Sequence, residues 1–298
     1  MTVQRVAVVT IVRGRHAHLA GQLGGLLAQD RDPDAYVVVA IDDPAAHDVV
    51  RDLAPATWDV RTPTASLRGG RMPLSTARNL GAGAAIAAGA GHLVFLDVDC
   101  VPAPTLVSRY AEVLARAPRG GPPRVVCGDV AYEPPPPAPG LAAGPPRHHP
   151  ARPALAPGTV RVEDDVSLFW SLSFAVTASD FTRIGGFDED YVGYGGEDTD
   201  FGQRLVRAGG ELVFVGGAGA VHQYHPSPSP PVQHVGDIVA NANLFADKWG
   251  WWPMLSWLEE FREQGLVRSG PDGRWETVAD ATQGSTLPAG VDRAPARA

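Results

Sequence analysis

Cysteine is nearly missing from this chain: Cys100 and Cys127 are the only two in 298 residues. That excludes a disulfide framework and makes a reducing compartment the simpler setting. Lysine is scarcer still, with Lys248 alone, so arginine carries almost all the positive charge. Beside so much Ala, Gly and Pro, this reads as the bias of a GC-rich genome rather than as function. A net charge of -8 excludes a general affinity for nucleic acid or anionic membrane. Long apolar runs are also lacking. The longest weakly polar stretch, 81–96, is mostly Gly and Ala, contains His92, and is too short to span a bilayer. Arg13 and Arg15 follow the apolar run 6–12 rather than precede it, the reverse of a secretory signal. The expected location is cytoplasmic, with room for peripheral membrane contact.

What is present is an alternation of strand and helix patterns over the first 130 residues. Runs at 6–12, 36–41, 58–61, 92–96 and 125–130 read as strands, and 18–28, 74–90 and 105–116 as helices. Val- and Ile-rich strands without alternation imply a parallel sheet covered on both faces, a nucleotide-binding type of half-domain. Residues 133–158 break the pattern with a proline run and scattered glycines, and are expected to form a mobile surface insert. Its His148 and His149 read as solvated loop residues. Order resumes near Val160, with a β-rich run at 168–177 and a short helix capped by Ser179 and closed by Gly185. A helix at 197–208, a strand at 211–215, a second strand ending in His222-Gln223-Tyr224-His225, and helices at 238–249 and 253–264 follow. One domain over 1–265 and a largely disordered tail over 266–298 are expected. Trp249, Trp251, Trp252 and Trp257 read as the core of the closing helices, with an acceptor platform as the alternative.

Two acidic clusters carry the chemistry. Asp97-Val98-Asp99 follows the buried run 92–96, and carboxylates at a strand end suit Mn²⁺ or Mg²⁺ in the crevice of an α/β sheet. Such an ion offsets charge on a diphosphate leaving group. Glu197, Asp198 and Asp200 open a helix behind Gly193, Tyr194, Gly195 and Gly196. Acidic residues in a first helical turn also serve the helix dipole, but the glycines allow a ligand close to the backbone. His222 and His225, at i and i+3 after a strand, are candidate ligands for the same cation, and histidine with carboxylate suits Mn²⁺.

These residues resemble the GT-A glycosyltransferases, most closely the C-terminal half of the β-1,4-galactosyltransferases. Gly-Phe-Asp-Glu-Asp-Tyr-Val-Gly-Tyr-Gly-Gly-Glu-Asp-Thr-Asp, ending at Asp200, stands where that family has a W-G-W-G-G-E-D-D-D block. The resemblance implies that Asp198 is the general base, that Glu197 binds the acceptor sugar, and that Tyr194 with Gly195 and Gly196 covers donor and acceptor sugars. It makes Asp99 the metal-binding aspartate. The family's later Met-x-x-His pair is replaced by His222 and His225. Val12-Arg13-Gly14-Arg15 is similar to the family's F-R-N-R, which places Arg13 and Arg15 at the nucleotide. Ala40-Ile41-Asp42-Asp43 resembles the base- and ribose-binding turn of glycosyltransferase family 2, and the segment 73–79 its helix start. Asp42, Asp43, Arg78 and Asp97 then join the donor nucleotide site.

The expectation is an α/β protein of GT-A type, a mostly parallel sheet flanked by helices, with a Rossmann-like nucleotide half and an acceptor half. The expected reaction is metal-dependent, inverting sugar transfer from a nucleotide sugar, a UDP-sugar for preference. The acceptor hydroxyl belongs to a sugar, a lipid-linked molecule or a small molecule. A retaining transferase of the same fold is the first alternative. A sugar-phosphate nucleotidyltransferase and a non-catalytic nucleotide-sugar-binding module are the others. The glycine-rich phosphate loop that a nucleotidyltransferase would show near its start is not found.

Overall fold

Seven consecutive buried residues make up each of the first two strands, β1 (Val6–Val12) and β2 (Ala35–Ile41). Strands buried on both faces must be sandwiched between helices. Alternate side chains of β1 accordingly enter different cores. Val6, Val8 and Val12 pack with Leu19, Leu23 and Leu26 of α1 (His16–Leu27). Ala7, Val9 and Ile11 pack with Ala77, Ala82 and Ala85 of α3 (Leu74–Ala87). Gly81 lets α3 approach this closely, because a Cβ there would collide with Val9. Between these helices lies α2 (Ala45–Leu53), which sequence periodicity did not suggest. It is short and buries only Ala46 and Val50.

This computed structural model describes residues 4–118, 120–138 and 143–278. It divides into two compact units, 1–226 and 227–298, where the sequence suggested one domain through 265. In the first unit the remaining strands are β3 (Asp59–Arg61), β4 (Thr64–Ala65), β5 (His92–Leu96), β6 (Cys100–Pro102), β7 (Arg124–Tyr132), β8 (Arg147–His148), β9 (Val160–Glu163), β10 (Ser173–Thr177) and β11 (Glu211–His222). Their order is β3-β2-β1-β5-β10-β7-β11-β6. From β3 to β5 the pairing is parallel; β10 then runs antiparallel to both β5 and β7. The chain leaves β1 toward β2 on one side and returns to β5 on the other. A ligand crevice therefore opens at the C-terminal ends of β1 and β5.

Three further helices flank this sheet: α4 (Leu106–Ala115), α5 (Ala178–Ile184) and α6 (Glu197–Arg207). The cap of α5 is Thr177 rather than Ser179, its hydroxyl accepting from the Asp180 N–H at 3.0 Å. A stacked aromatic cluster (Phe95 on Phe174 at 4.5 Å, Phe187 on Phe201 at 4.4 Å) seats α6 on the sheet. The two strands expected between 211 and 222 are one strand, β11, whose register against β7 jumps between Val215 and Ala220. The extra residues 216–219 bulge out, with Gly217 at φ 96°, and Thr105 and Arg109 of α4 hold their carbonyls.

The insert 133–158, expected to be mobile, is fastened down over much of its length. Its strand β8 pairs with Ala131 and Tyr132 of β7, and Arg152 lies buried with its guanidinium over the rings of Trp170 and Phe214. Cation–π stacking on two rings explains how a proline-rich segment of low apolar content is anchored. His148 and His149 remain exposed, as expected, and residues 139–142 lie outside the described residues.

The second unit contains α7 (Val235–Trp249), α8 (Leu255–Glu263) and the hairpin β12 (Val267–Ser269) with β13 (Trp275–Thr277). The tail expected to be disordered from 266 is thus ordered as far as residue 278. Trp275 is buried there and exchanges two hydrogen bonds with Asn243. The rest of that expected tail, 279–298, lies outside the described residues. Trp252 and Trp257 pack on this unit's core, as the core reading had it, while Trp251 meets Phe245 edge-on and stays half-exposed. Among the described residues no helix is long and apolar enough to cross a membrane.

Candidate active site

β5 ends at Leu96, and the Asp97-Val98-Asp99 turn leads directly into β6. The register of β6 against β11 sets Cys100 opposite His222, and the Gln223 N–H donates to the Asp99 carbonyl at 2.7 Å. Strand pairing thereby carries both histidines to the aspartate. His222 Nε2 lies 3.4 Å from Asp99 Oδ1, and His225 Nε2 lies 3.4 Å from Asp99 Oδ2. One ligand atom from each of Asp99, His222 and His225 falls within 4.8 Å of the others, so the three groups could hold one metal ion. Burial works against ionisation of Asp99. Even so, its carboxyl is held below the usual range, because His225, His222 and Arg15 together outweigh that cost. Burial lowers His222, which favours the neutral imidazole that a cation needs. An anionic oxygen with two imidazoles is a donor set that fits Mn²⁺.

The second acidic cluster starts α6. Gly195 and Gly196 both sit at φ 90°, a turn that side chains with a Cβ resist, and the helix begins at Glu197. Between the clusters stands Arg78 of α3, buried. Its Nη2 is 3.4 Å from Asp97 Oδ1, and its Nη1 is 3.4 Å from Glu197 Oε1 and 3.9 Å from Asp198 Oδ1. The guanidinium of Arg78, a residue expected at the nucleotide, joins the two carboxylate groups. Burial, then the neighbouring Asp198 charge, pushes the Glu197 carboxyl up to about 7 against the pull of Arg78. Burial also pushes Asp97 up, with Asp99 and Asp198 adding repulsion. Asp198 Oδ2 accepts the Ser171 N–H at 2.9 Å. Its Oδ1 has no hydrogen-bond partner among the described residues. Asp200 points elsewhere, taking the Tyr191 hydroxyl at 3.2 Å, and belongs to the helix start.

Of the residues expected at the nucleotide, Arg15 pairs with Asp99, and Arg13 is exposed just beyond β1. Asp42 and Asp43 follow β2 across the same crevice and brace it: Asp42 accepts the Leu67 N–H, and Asp43 accepts the Gly14 N–H and pairs with His16. Tyr194 is 39 % exposed, and burial pushes its hydroxyl up to about 12. From the metal group an aromatic wall runs from His222 to Tyr132 (5.2 Å), on to His149 (6.3 Å from Tyr132) and to Trp170 (4.8 Å from His149). Trp170 precedes the Ser171 that holds Asp198.

Comparison with known proteins places the fold. The profile of one protein family, described as the N-terminal domain of galactosyltransferase, matches residues 156–226. Validoxylamine A glucosyltransferase of Streptomyces hygroscopicus subsp. limoneus is 33% identical over 221 residues, 67% of this chain and 47% of that protein. This chain therefore spans about half the length of that curated relative. Among solved structures, GalNAc-T7 with UDP, GalNAc and Mn²⁺ superposes with a TM-score of 0.53 at 17% identity, covering 88% of this chain and 54% of that one. TarS 1–349 of S. aureus gives 0.54 at 13% identity, covering 81% and 64%. The fold is that of the GT-A glycosyltransferases.

Within this site, sequence reasoning missed Gln22, Tyr132 and the bridging role of Arg78, and it reached Trp170 and Ser171 only as parts of the segment 168–174 expected to shape the choice of sugar. Gln22 left one legible trace: it is a lone amide on the face of α1 that otherwise buries Leu19, Leu23 and Leu26. Ser171 acts through its backbone N–H, which no side-chain pattern announces. His149 and Arg152 were visible only as parts of a proline-rich insert.

Proposed function

We propose that the chain is a metal-dependent, inverting glycosyltransferase that moves a sugar from a nucleotide sugar, a UDP-sugar for preference, to an acceptor hydroxyl. The observation that carries this is Asp198. Its Oδ2 accepts the Ser171 N–H at 2.9 Å, and its buried Oδ1 makes no hydrogen bond among the described residues and lies 3.9 Å from Arg78 Nη1. A carboxylate oriented in this way, with its side chain still 28% exposed, is set up to take a proton from a bound hydroxyl. Arg78 keeps it oriented. Glu197, whose raised value keeps it partly protonated near neutral pH, can both donate to and accept from acceptor hydroxyls.

Asp99, His222 and His225 would hold Mn²⁺ or Mg²⁺, which when bound supplies positive charge against the diphosphate leaving group. Arg15 and Arg13 face the same phosphates, and Asp42 and Asp43 take the base and ribose. Tyr194 covers the sugars. The acceptor ring stacks on the wall of Tyr132, His149 and Trp170, between the metal group and Asp198. Because one Streptomyces relative is named validoxylamine A glucosyltransferase, UDP-glucose with validoxylamine A is the first donor and acceptor pair to try.

The test is thermal unfolding with nucleoside diphosphates and nucleotide sugars, each with Mn²⁺ and with EDTA. A donor nucleotide at about 100 times its dissociation constant stabilises the fold by roughly 2.7 kcal/mol. The expected result is a shift for one nucleotide class that EDTA abolishes. A flat panel on folded protein would sink the proposal.

A further inference from the structure

Gln22 lies in the core, fully buried, and its hydrogen bonds go to none of the side chains expected to meet substrate. Its amide nevertheless has five hydrogen-bonding neighbours, on β1, β2, β5, β6 and the turn between the last two. Oε1 accepts from the Tyr36 hydroxyl at 2.8 Å, and the Thr10 hydroxyl lies at 2.8 Å from the same atom. Nε2 faces three main-chain carbonyls: Asp97 at 2.7 Å, Cys100 at 3.3 Å and Leu96 at 3.5 Å. Carbonyls only accept, so the amino group must be the end that faces them, and the orientation of the amide follows. Those carbonyls are the backbone of the Asp97-Val98-Asp99 turn, from the last residue of β5 to the first of β6.

We infer that Gln22 is a positioning residue for the metal group: it sets the path of this turn and hence the direction of the Asp99 carboxylate. The inference rests on the proposed metal-dependent function. Thr10 and Tyr36 lie on β1 and β2, so the amide ties the turn to two central strands rather than to its own helix. The opposite side of the turn is held by the Gln223 N–H on the Asp99 carbonyl and by the Asp97 N–H on the Leu172 carbonyl. With Gln22 removed, the turn keeps those outer ties and the Thr10 hydroxyl on Leu96, and loses its inner ties at Asp97 and Cys100. Asp99 is then free to rotate away from His222 and His225. The Cys100 N–H closes the turn on the Asp97 carbonyl at 2.8 Å and the Thr10 hydroxyl reaches the Leu96 carbonyl at 3.1 Å, but among the described residues no other side-chain amide reaches the Asp97 carbonyl.

The experiment measures Mn²⁺ affinity directly, from the loss of the free-ion EPR signal. It compares the parent chain, Gln22→Met, Gln22→Asn and Asp99→Asn, with folding checked by circular dichroism. Gln22→Met keeps the volume and removes the donor. It is expected to weaken Mn²⁺ binding roughly 10–100-fold, the usual cost of losing a partner that orients a ligand. Its bound-Mn²⁺ spectrum should also broaden relative to the parent, a signature that a merely structural loss would not move. If Gln22→Met does not fold, Gln22→Asn takes its place, since it keeps an amide one carbon too short to span both ends. A folded Gln22 variant that binds Mn²⁺ within about twofold of the parent overturns the inference. A parent that does not bind Mn²⁺ overturns the proposed function instead, and the inference with it.

Discussion

Replacing Arg78 by Met should leave three carboxylates facing one another in the interior. Arg78 is buried and lies within 4 Å of Asp97, Glu197 and Asp198. Removing one partner of a buried ion pair costs roughly 3–5 kcal/mol, because the remaining charge is left uncompensated. In a unit of this size each kcal/mol moves the midpoint by about 2–4 °C, so the loss is roughly 6–20 °C. The sign of its pH dependence follows from Glu197, raised from its ordinary 4.5 to about 7. Between those values the native parent holds a proton that the unfolded chain has lost. Parental stability therefore falls as pH rises across that window, by about 3 kcal/mol for this group alone. Without Arg78 the carboxyls rise further and the fall steepens. A protonated Glu197 needs no cation, so the deficit of the variant shrinks toward low pH. Urea midpoints at pH 5.5 and 8 for the parent, Arg78→Met, Glu197→Gln and the double variant test this. The deficit should be larger at pH 8, and Glu197→Gln should recover part of it. A deficit equal at both pH values, or a variant as stable as the parent, would refute the reasoning.

Two other outcomes follow from the same structure. Asp198→Asn should leave the thermal shift with nucleotide and Mn²⁺ intact while turnover drops ~10²–10⁴-fold, the usual worth of a general base; normal turnover would remove Asp198 from that role. Gly81→Ala should destabilise the first unit by about 1–3 kcal/mol, read from urea midpoints, because its methyl would drive α3 off Val9 and Val39.

How much of this was legible in the sequence depended on the range of the interaction. β1, β2 and β5 could be read because burial on both faces leaves an unbroken apolar run, which only a covered parallel strand tolerates. Asp97, Asp99, Glu197, Asp198, His222 and His225 could be read because ionisable groups at element ends are rare enough to stand out. What joins them could not. Arg78 meets partners 19, 119 and 120 positions away along the chain, and Gln22 meets carbonyls 74 to 78 positions away. Local sequence marks Arg78 as part of a motif and Gln22 as a lone amide on a buried face, but not the partners of either. α2 escaped notice because two buried residues make too thin a stripe, and β11 was split in two because its glycine bulge mimics a turn. The insert misled through composition: a single arginine between two rings anchors what its prolines alone would leave loose.

The pairing of β6 with β11 also bears on how the chain acquires its site during synthesis. The side chain of Gln223 donates to the carbonyl of His18, 205 residues earlier, and the Asp99 carbonyl waits for the Gln223 N–H. A nascent chain emerges from the ribosome N-terminus first, so the crevice of β1, β2 and β5 is available for docking long before either histidine has been made. Contacts of such high order close last and slow folding. Until they close, Asp99 faces Arg15 with no imidazole beside it. On the proposed function, affinity for the cation would therefore switch on only when the last strand of the unit is in place, and cation uptake would mark the end of folding rather than assist its start.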